Sequence, residues 1–173
     1  VSSPRNGNEL RNLLHTALEY KDGPFAIRYP KASSEEFNQN LQAELLPIGS
    51  WEVLQNGNDV AILAVGPLTY LALEAAEELK KLDISCEVVN CRFIKPMDEN
   101  YLEFMLEKFS SVLTIEEGVR SGGFGEGVLS WLSSNNYKGN SSIISLPDKF
   151  VEHGPRDLLL EKWGINKEQI IKT

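Results

Sequence analysis

The chain of 173 residues is 42% hydrophobic and 24% charged with a formal net charge of −8, the balance of a folded globular protein able to bury a full core in one domain of ordinary size. The acidic total excludes nucleic acid and anionic membrane as main partners, because both recruit a basic face and no basic run occurs. No apolar stretch approaches the ~20 residues that span a bilayer. The polar opening VSSPRNGNEL does not read as a secretory leader. The chain starts at Val1 rather than Met, in what reads as the tail of an element already under way, so a fragment is expected.

Leu10, Leu13, Leu14, Ala17 and Leu18 fall at helical spacing and predict an amphipathic helix over Asn8 to Tyr20. Lys21-Asp22-Gly23-Pro24 stops it, and Phe25 to Tyr29 reads as a short strand before Pro30. The polar stretch from Lys31 to Gln42 reads as a linker or surface excursion. Beyond it the pattern alternates. Asp59 to Val65 is a continuous apolar run, as in a strand buried on both faces, and Leu68 to Leu82 is a helix. Ile84 to Arg92 is a second strand, followed by a helix running to Phe109 with Asp98 as N-cap. Val112 to Ile115 is a third strand, Gly127 to Ser133 starts a helix, and Ser142 to Leu146 is a fourth strand. Pro155 to Trp163 and Asn166 to Lys172 read as terminal helices, the last with an Asn166/Gln169 capping box. Strands alternating with helices predict an α/β fold of three layers, a mostly parallel sheet with helices on both faces. Its core is residues 44–173.

Cys86 and Cys91 lie five positions apart on one strand, which puts their side chains on opposite faces with Cα atoms ~16 Å apart. A disulfide needs less than about 7 Å, so two packed thiols are expected. With only His15 and His153 in addition, and both remote, no zinc site is expected. Neither histidine stands beside a Ser or Cys nucleophile on a glycine elbow, and both read as loop or surface residues.

The stretch EEGVRSGGFGEGV, residues 116–128, has the layout of a phosphate cradle: strand, glycine-rich turn, helix. The spacing fits neither G-x-G-x-x-G nor a Walker A loop, and Glu116 and Glu117 would repel a phosphate. A tight turn that uses glycine for positive φ and close packing fits better. The two carboxylates are adjacent and point to opposite sides, poor geometry for a shared acid/base site. Each nevertheless sits at the carboxyl end of a strand, where parallel sheets place ligands. Arg28 and Lys31 leave the end of a strand around Pro30 and can be read as a phosphate or carboxylate clamp, or as two solvated surface charges.

Several blocks together resemble one family. DGPFAIRYPK (22–31) looks like the end of the pyrimidine-binding domain of transketolase-group thiamine-diphosphate enzymes. DVAILAVGP (59–67), VNCRFIKPMD (89–98), and Glu116-Glu117-Gly118 with Gly122-Gly123-Phe124-Gly125 are similar to the group's C-terminal domain. These blocks are shared with the β subunits of 2-oxo acid dehydrogenases, whereas PDKFVEHG (147–154) resembles the 1-deoxy-D-xylulose-5-phosphate synthase branch.

The resemblance implies residues 1–31 as the tail of the pyrimidine-binding domain, 32–43 as linker and 44–173 as the transketolase C-terminal domain. It implies a transferase that condenses pyruvate with glyceraldehyde 3-phosphate on thiamine diphosphate and Mg²⁺, serving isoprenoid and thiamine biosynthesis. The family's enzyme is a homodimer, cytoplasmic in bacteria and plastidial in plants. Cofactor and metal sites belong to segments absent here, so no catalytic, cofactor or metal residue is expected in this chain, and the fragment is expected to be inactive and to serve domain and dimer assembly. One site does reach it: Arg28 matches the first cation of the family's R-Y-P-R segment, which faces the substrate phosphate. Lys31 stands where the family usually has arginine, keeping the charge and losing the bidentate fork. The alternatives are a 2-oxo acid dehydrogenase β subunit, against which PDKFVEHG speaks, and a non-catalytic interaction module.

Overall fold

Strands that read as near-continuous apolar runs must be covered on both faces, and the chain meets that demand with one central sheet. The computed structural model describes residues 1–34 and 36–173; Glu35, inside the polar stretch read as a linker, lies outside the described residues. The strands are β1 (Glu52–Gln55), β2 (Val60–Ala64), β3 (Cys86–Asn90), β4 (Ser111–Val119) and β5 (Asn140–Leu146), in the order β1-β3-β2-β4-β5. β3, β2, β4 and β5 run parallel, and β1 pairs antiparallel with β3 at the edge. The expected mostly parallel sheet is therefore present. β1 escaped the sequence reading because EVLQ carries one β-branched residue and no clear alternation.

The helices are α1 (Gly7–Glu19), α2 (Leu68–Lys80), α3 (Glu99–Lys108), α4 (Phe124–Ser134), α5 (Arg156–Lys162) and α6 (Lys167–Lys172). The chain leaves β2 in one direction for β3, then crosses back to β4 and on to β5. Right-handed crossovers therefore put α2 on one face and α3 and α4 on the other. Two apolar clusters record this. Leu68, Ala72, Ala75, Ala76 and Leu79 of α2 pack with Ile62, Val88 and Ile115, while Leu102, Met105, Phe124 and Val128 pack with Leu63, Val89 and Val112. Each fully buried Val, Leu, Ile, Phe or Met among them contributes about 1.5–3 kcal/mol of transfer free energy, and each alanine less. Cys86 lies in the first cluster and Cys91 in the second, on opposite faces as their odd separation requires.

Local signals hold in part. Asp98 caps α3 by accepting the Tyr101 N–H at 3.0 Å, and its other oxygen accepts the Trp51 N–H at 2.7 Å. Asn166 caps α6 through the Gln169 N–H at 2.9 Å, but the Gln169 side chain turns to Thr173, so only half of the capping box forms. The expected strand at Phe25 to Tyr29 is reduced to a single bridge between Ile27 and Ser2. Pro24 and Pro30 lack the N–H a longer ladder would need.

Helix α1 buries a different stripe from the apolar one. Glu9, Leu13 and Thr16 are buried, whereas Leu14 and Leu18 remain 50% and 72% exposed. Asn90 and Arg92 draw Glu9 inward, and the segment after the helix runs alongside its polar face. Side-chain oxygens of Asn8, Asn12 and Thr16, four residues apart, accept the backbone N–H groups of Asn38, Glu44 and Leu46 at 2.8, 3.1 and 2.9 Å. The expected surface excursion is thereby laced to the helix.

Candidate functional site

In an open α/β sheet the ligand crevice lies outside the carboxyl ends of the strands where the winding direction reverses. Here that point is between β2 and β4, because α2 and α4 leave these strands toward opposite faces. The extended segment at 26–30 is brought to this place through the first residues of the chain. Ser2 donates its N–H to Ala26 O and accepts the Arg28 N–H, both at 2.8 Å, while Ser3 donates to Arg92 O at 2.8 Å and Ile94 to Val1 O at 2.9 Å. Ser2 and Ser3 are buried by this sandwich.

A second tie lies beneath it. Glu9 accepts the Arg5 N–H at 2.7 Å and the Asn90 amide at 2.7 Å, and Arg92 lies 3.5 Å from it. Glu52 stands 3.6 Å from Arg92 and 3.9 Å from Arg5. Burial pushes the Glu9 carboxyl above its ordinary range, opposed by the Arg5 N–H, the Arg92 charge and the Asn90 hydrogen bond.

The result is a cleft of about 240 Å³ at the switch point, where Arg28, Tyr29 and Pro30 face Ser3, Pro67 and Glu117. Arg28 and Tyr29 are exposed, and among the described residues no carboxylate lies within 4 Å of Arg28 or Lys31. Lys31 is exposed and does not line the cleft. The opposite wall is acidic but neutralised. Glu117 is held by Arg156, whose Nε donates to both carboxylate oxygens at 3.1 and 3.0 Å and whose Nη2 donates to Oε1. Burial works against the Arg156 charge, but the hydrogen bonds and charge of Glu117 outweigh it and hold the guanidinium above its ordinary pKa.

The glycine loop has a different answer. β4 extends through Val119, so Glu116 and Glu117 are strand residues on opposite faces, as adjacency requires. Glu116 is buried and accepts the N–H groups of Phe124 and Gly125 at 2.9 and 2.8 Å. Its carboxylate thus occupies the N-terminus of α4, the place where a bound phosphate would sit. With that cap the helix begins at Phe124, three residues before the expected start at Gly127. A side chain at position 123 would put its Cβ 2.7 and 2.9 Å from the Glu116 oxygens, and at 125 it would come 2.5 Å from Thr114 Oγ1. Glycine is required at 123 for close approach to the Val119 carbonyl and the Glu116 carboxylate, and at 125 for close packing on Thr114 and Ile143.

That arrangement bears on the thiamine diphosphate the resemblance implies. The N–H donors of the one glycine-rich helix start are committed to Glu116, so this loop does not fit a diphosphate. Among the described residues no three His, Cys, Asp or Glu side chains converge as a metal site. His153 is exposed and His15 half-buried on α1. Burial drives the Cys86 thiol up to about 11 and holds the Cys91 thiol well above its ordinary value, which leaves neither as a nucleophile.

Two of these roles are not legible in the sequence. Glu116, expected to repel a phosphate, is itself the anion at this helix start. Arg156 carries no local signal of its role beyond being a cation in the first turn of a helix, where the dipole does not favour it.

Known proteins agree with this architecture. Residues 49–170 match the family described as transketolase, C-terminal domain. A 1-deoxy-D-xylulose-5-phosphate synthase of Bacillus cereus (strain AH820) is 42% identical over 99% of this chain, as is that of Bacillus anthracis (strain A0248). The chain spans 27% of the length of these relatives. Among solved structures, a "split gene transketolase, inactive beta4 tetramer" superposes with a TM-score of 0.88 at 31% identity, over 99% of this chain and 55% of that one. The fold, the position of its switch-point cleft and the family match over residues 49–170 lead to one assignment: this chain belongs to the transketolase C-terminal domain family.

Proposed function

We propose that this chain is the C-terminal part of a transferase that joins pyruvate to glyceraldehyde 3-phosphate, with loss of CO₂, to form 1-deoxy-D-xylulose 5-phosphate. Residues 1–31 are then the tail of the pyrimidine-binding domain, 32–43 the linker and 44–173 the C-terminal domain. Thiamine diphosphate and Mg²⁺, which supply the carbanion chemistry, are bound by segments outside these residues. The enzyme is a cytoplasmic homodimer, or plastidial in a plant, and feeds isoprenoid and thiamine biosynthesis. The name of the similar solved structure, an inactive beta4 tetramer, supports the expectation that the 173-residue chain alone shows no turnover.

The observation that carries the reading is the cleft at the switch point, into which the tail delivers Arg28 with no carboxylate partner among the described residues. A guanidinium left unpaired at such a place is suited to an anionic group of a substrate. Its contribution is positional: holding a remote phosphate orients the aldehyde for attack. Lys31, exposed and outside the cleft lining, supplies a second cation on the same segment. The relatives at 42% identity carry the same activity in their names.

The test is steady-state kinetics of the full-length enzyme with thiamine diphosphate and Mg²⁺. Arg28→Gln should raise KM for glyceraldehyde 3-phosphate at least about tenfold while KM for pyruvate stays within about twofold, and Lys31→Ala should do the same to a smaller extent. Equal effects on both substrates remove these residues from the phosphate site. An absence of 1-deoxy-D-xylulose 5-phosphate from pyruvate and the aldehyde rejects the activity.

A further inference from the structure

Glu117 presents a difficulty for any anion held by Arg28. It lines the same cleft of about 240 Å³, and a bare carboxylate there would either repel a phosphate or take Arg28 for itself. The structure resolves the conflict with a residue from another part of the chain. Arg156, at the start of α5, spends Nε on both Glu117 oxygens at 3.1 and 3.0 Å and Nη2 on one of them. The fork covers the carboxylate edge, and both side chains are shielded, at 30% and 23% exposure. Asp157 shares the outer face of the guanidinium at 3.3 Å but is itself 91% exposed and screened by water. Among the described residues that line the cleft, the pair leaves Arg28 as the one uncompensated charge.

We propose that Arg156 is a positioning residue for the phosphate: by neutralising Glu117 it keeps Arg28 free and the cleft receptive to an anion. The inference rests on the reading of Arg28 given above. It assigns the C-terminal domain a share in substrate selection, delivered by the α5 segment rather than by the glycine loop. Lysine in place of Arg156 would retain the charge without covering both oxygens, and so would hold Glu117 less completely.

The experiment compares glyceraldehyde 3-phosphate with unphosphorylated glyceraldehyde as acceptor in the full-length enzyme. Arg156→Gln should raise KM for the phosphorylated acceptor by about tenfold or more and leave the unphosphorylated one within about twofold. Glu117→Gln/Arg156→Gln should recover most of that loss, because the uncovered carboxylate is gone. Glu117→Gln alone, which keeps every cation, should leave KM for the phosphorylated acceptor unchanged or lower it. A double variant as impaired as Arg156→Gln, equal losses with both acceptors, or a rise in KM with Glu117→Gln overturns the proposal. Should Arg156→Gln fail to fold, the single Glu117→Gln variant decides the question by the direction of its KM. The two readings fail separately: if Arg28→Gln does not alter the preference for the phosphorylated acceptor, the assignment of Arg28 falls, whatever Arg156 does.

Discussion

Replacing Glu116 tests whether the glycine-rich turn is organised around an internal anion. Its two hydrogen bonds, from Phe124 at 2.9 Å and Gly125 at 2.8 Å, are buried and charge-assisted. Bonds to charged groups contribute about 1.5–3 kcal/mol each, and a carboxylate at a partly buried helix start adds up to ~2 kcal/mol, partly the same energy counted again. Glu116→Ala removes both acceptors and leaves two buried N–H donors unpaired, so an order-of-magnitude loss of about 3–5 kcal/mol is expected. Against a typical total of about 5–15 kcal/mol this is severe, and at about 2–4 °C per kcal/mol it lowers Tm by about 6–20 °C. Glu116→Gln keeps one acceptor oxygen and should lose about half as much. Urea and thermal melts followed by circular dichroism on the 173-residue chain give both numbers. A loss below about 1 kcal/mol for Glu116→Ala would refute the argument, because two orphaned donors cannot be that cheap in a dry site.

Three further outcomes follow from the same reasoning. The buried Glu87 accepts the Tyr101 hydroxyl at 2.8 Å and the Lys108 ammonium at 2.5 Å; Lys108→Ala should cost about 3–5 kcal/mol in urea melts, while Glu87→Met with Lys108→Met should return close to wild type. The Glu9 carboxyl has a native pKa raised by burial, so the stability it supplies is full below the unfolded value of about 4.3 and is lost as pH rises through the native one. The stability difference between wild type and Glu9→Gln, measured by urea melts from about pH 4 to pH 7, should therefore drift against wild type with rising pH; parallel curves would contradict the assignment. Cys86 and Cys91 are both buried with raised thiol pKa values, so neither should react with a thiol reagent at pH 8 in the native state and both should react in denaturant.

Much of the architecture was legible because it depends on patterns a few residues long. The apolar run at 60–64 requires cover on both faces, Asp98 caps its helix within three residues, and the odd spacing of Cys86 and Cys91 sends them to opposite clusters. These are local consequences of side-chain period and backbone hydrogen bonding. The edge strand β1 was not legible, since it is held by pairing with β3 across more than thirty residues of sequence. Nor was the burial of Glu9 in preference to Leu14 and Leu18, which follows from Asn90 and Arg92 lying at the end of a distant strand.

The candidate site divides the same way. Residue type alone marked Arg28 and Lys31 as cations around a rigid proline, and spacing alone ruled the glycine loop out as a nucleotide motif. What Glu116 and Glu117 do was decided only in three dimensions. One carboxylate turns inward to the helix start it caps, and the other turns outward to an arginine 39 residues away. A charge's sign is written in the sequence, but whether it is satisfied depends on which partner the fold brings within 3 Å. That is a property of topology, and no local pattern carries it.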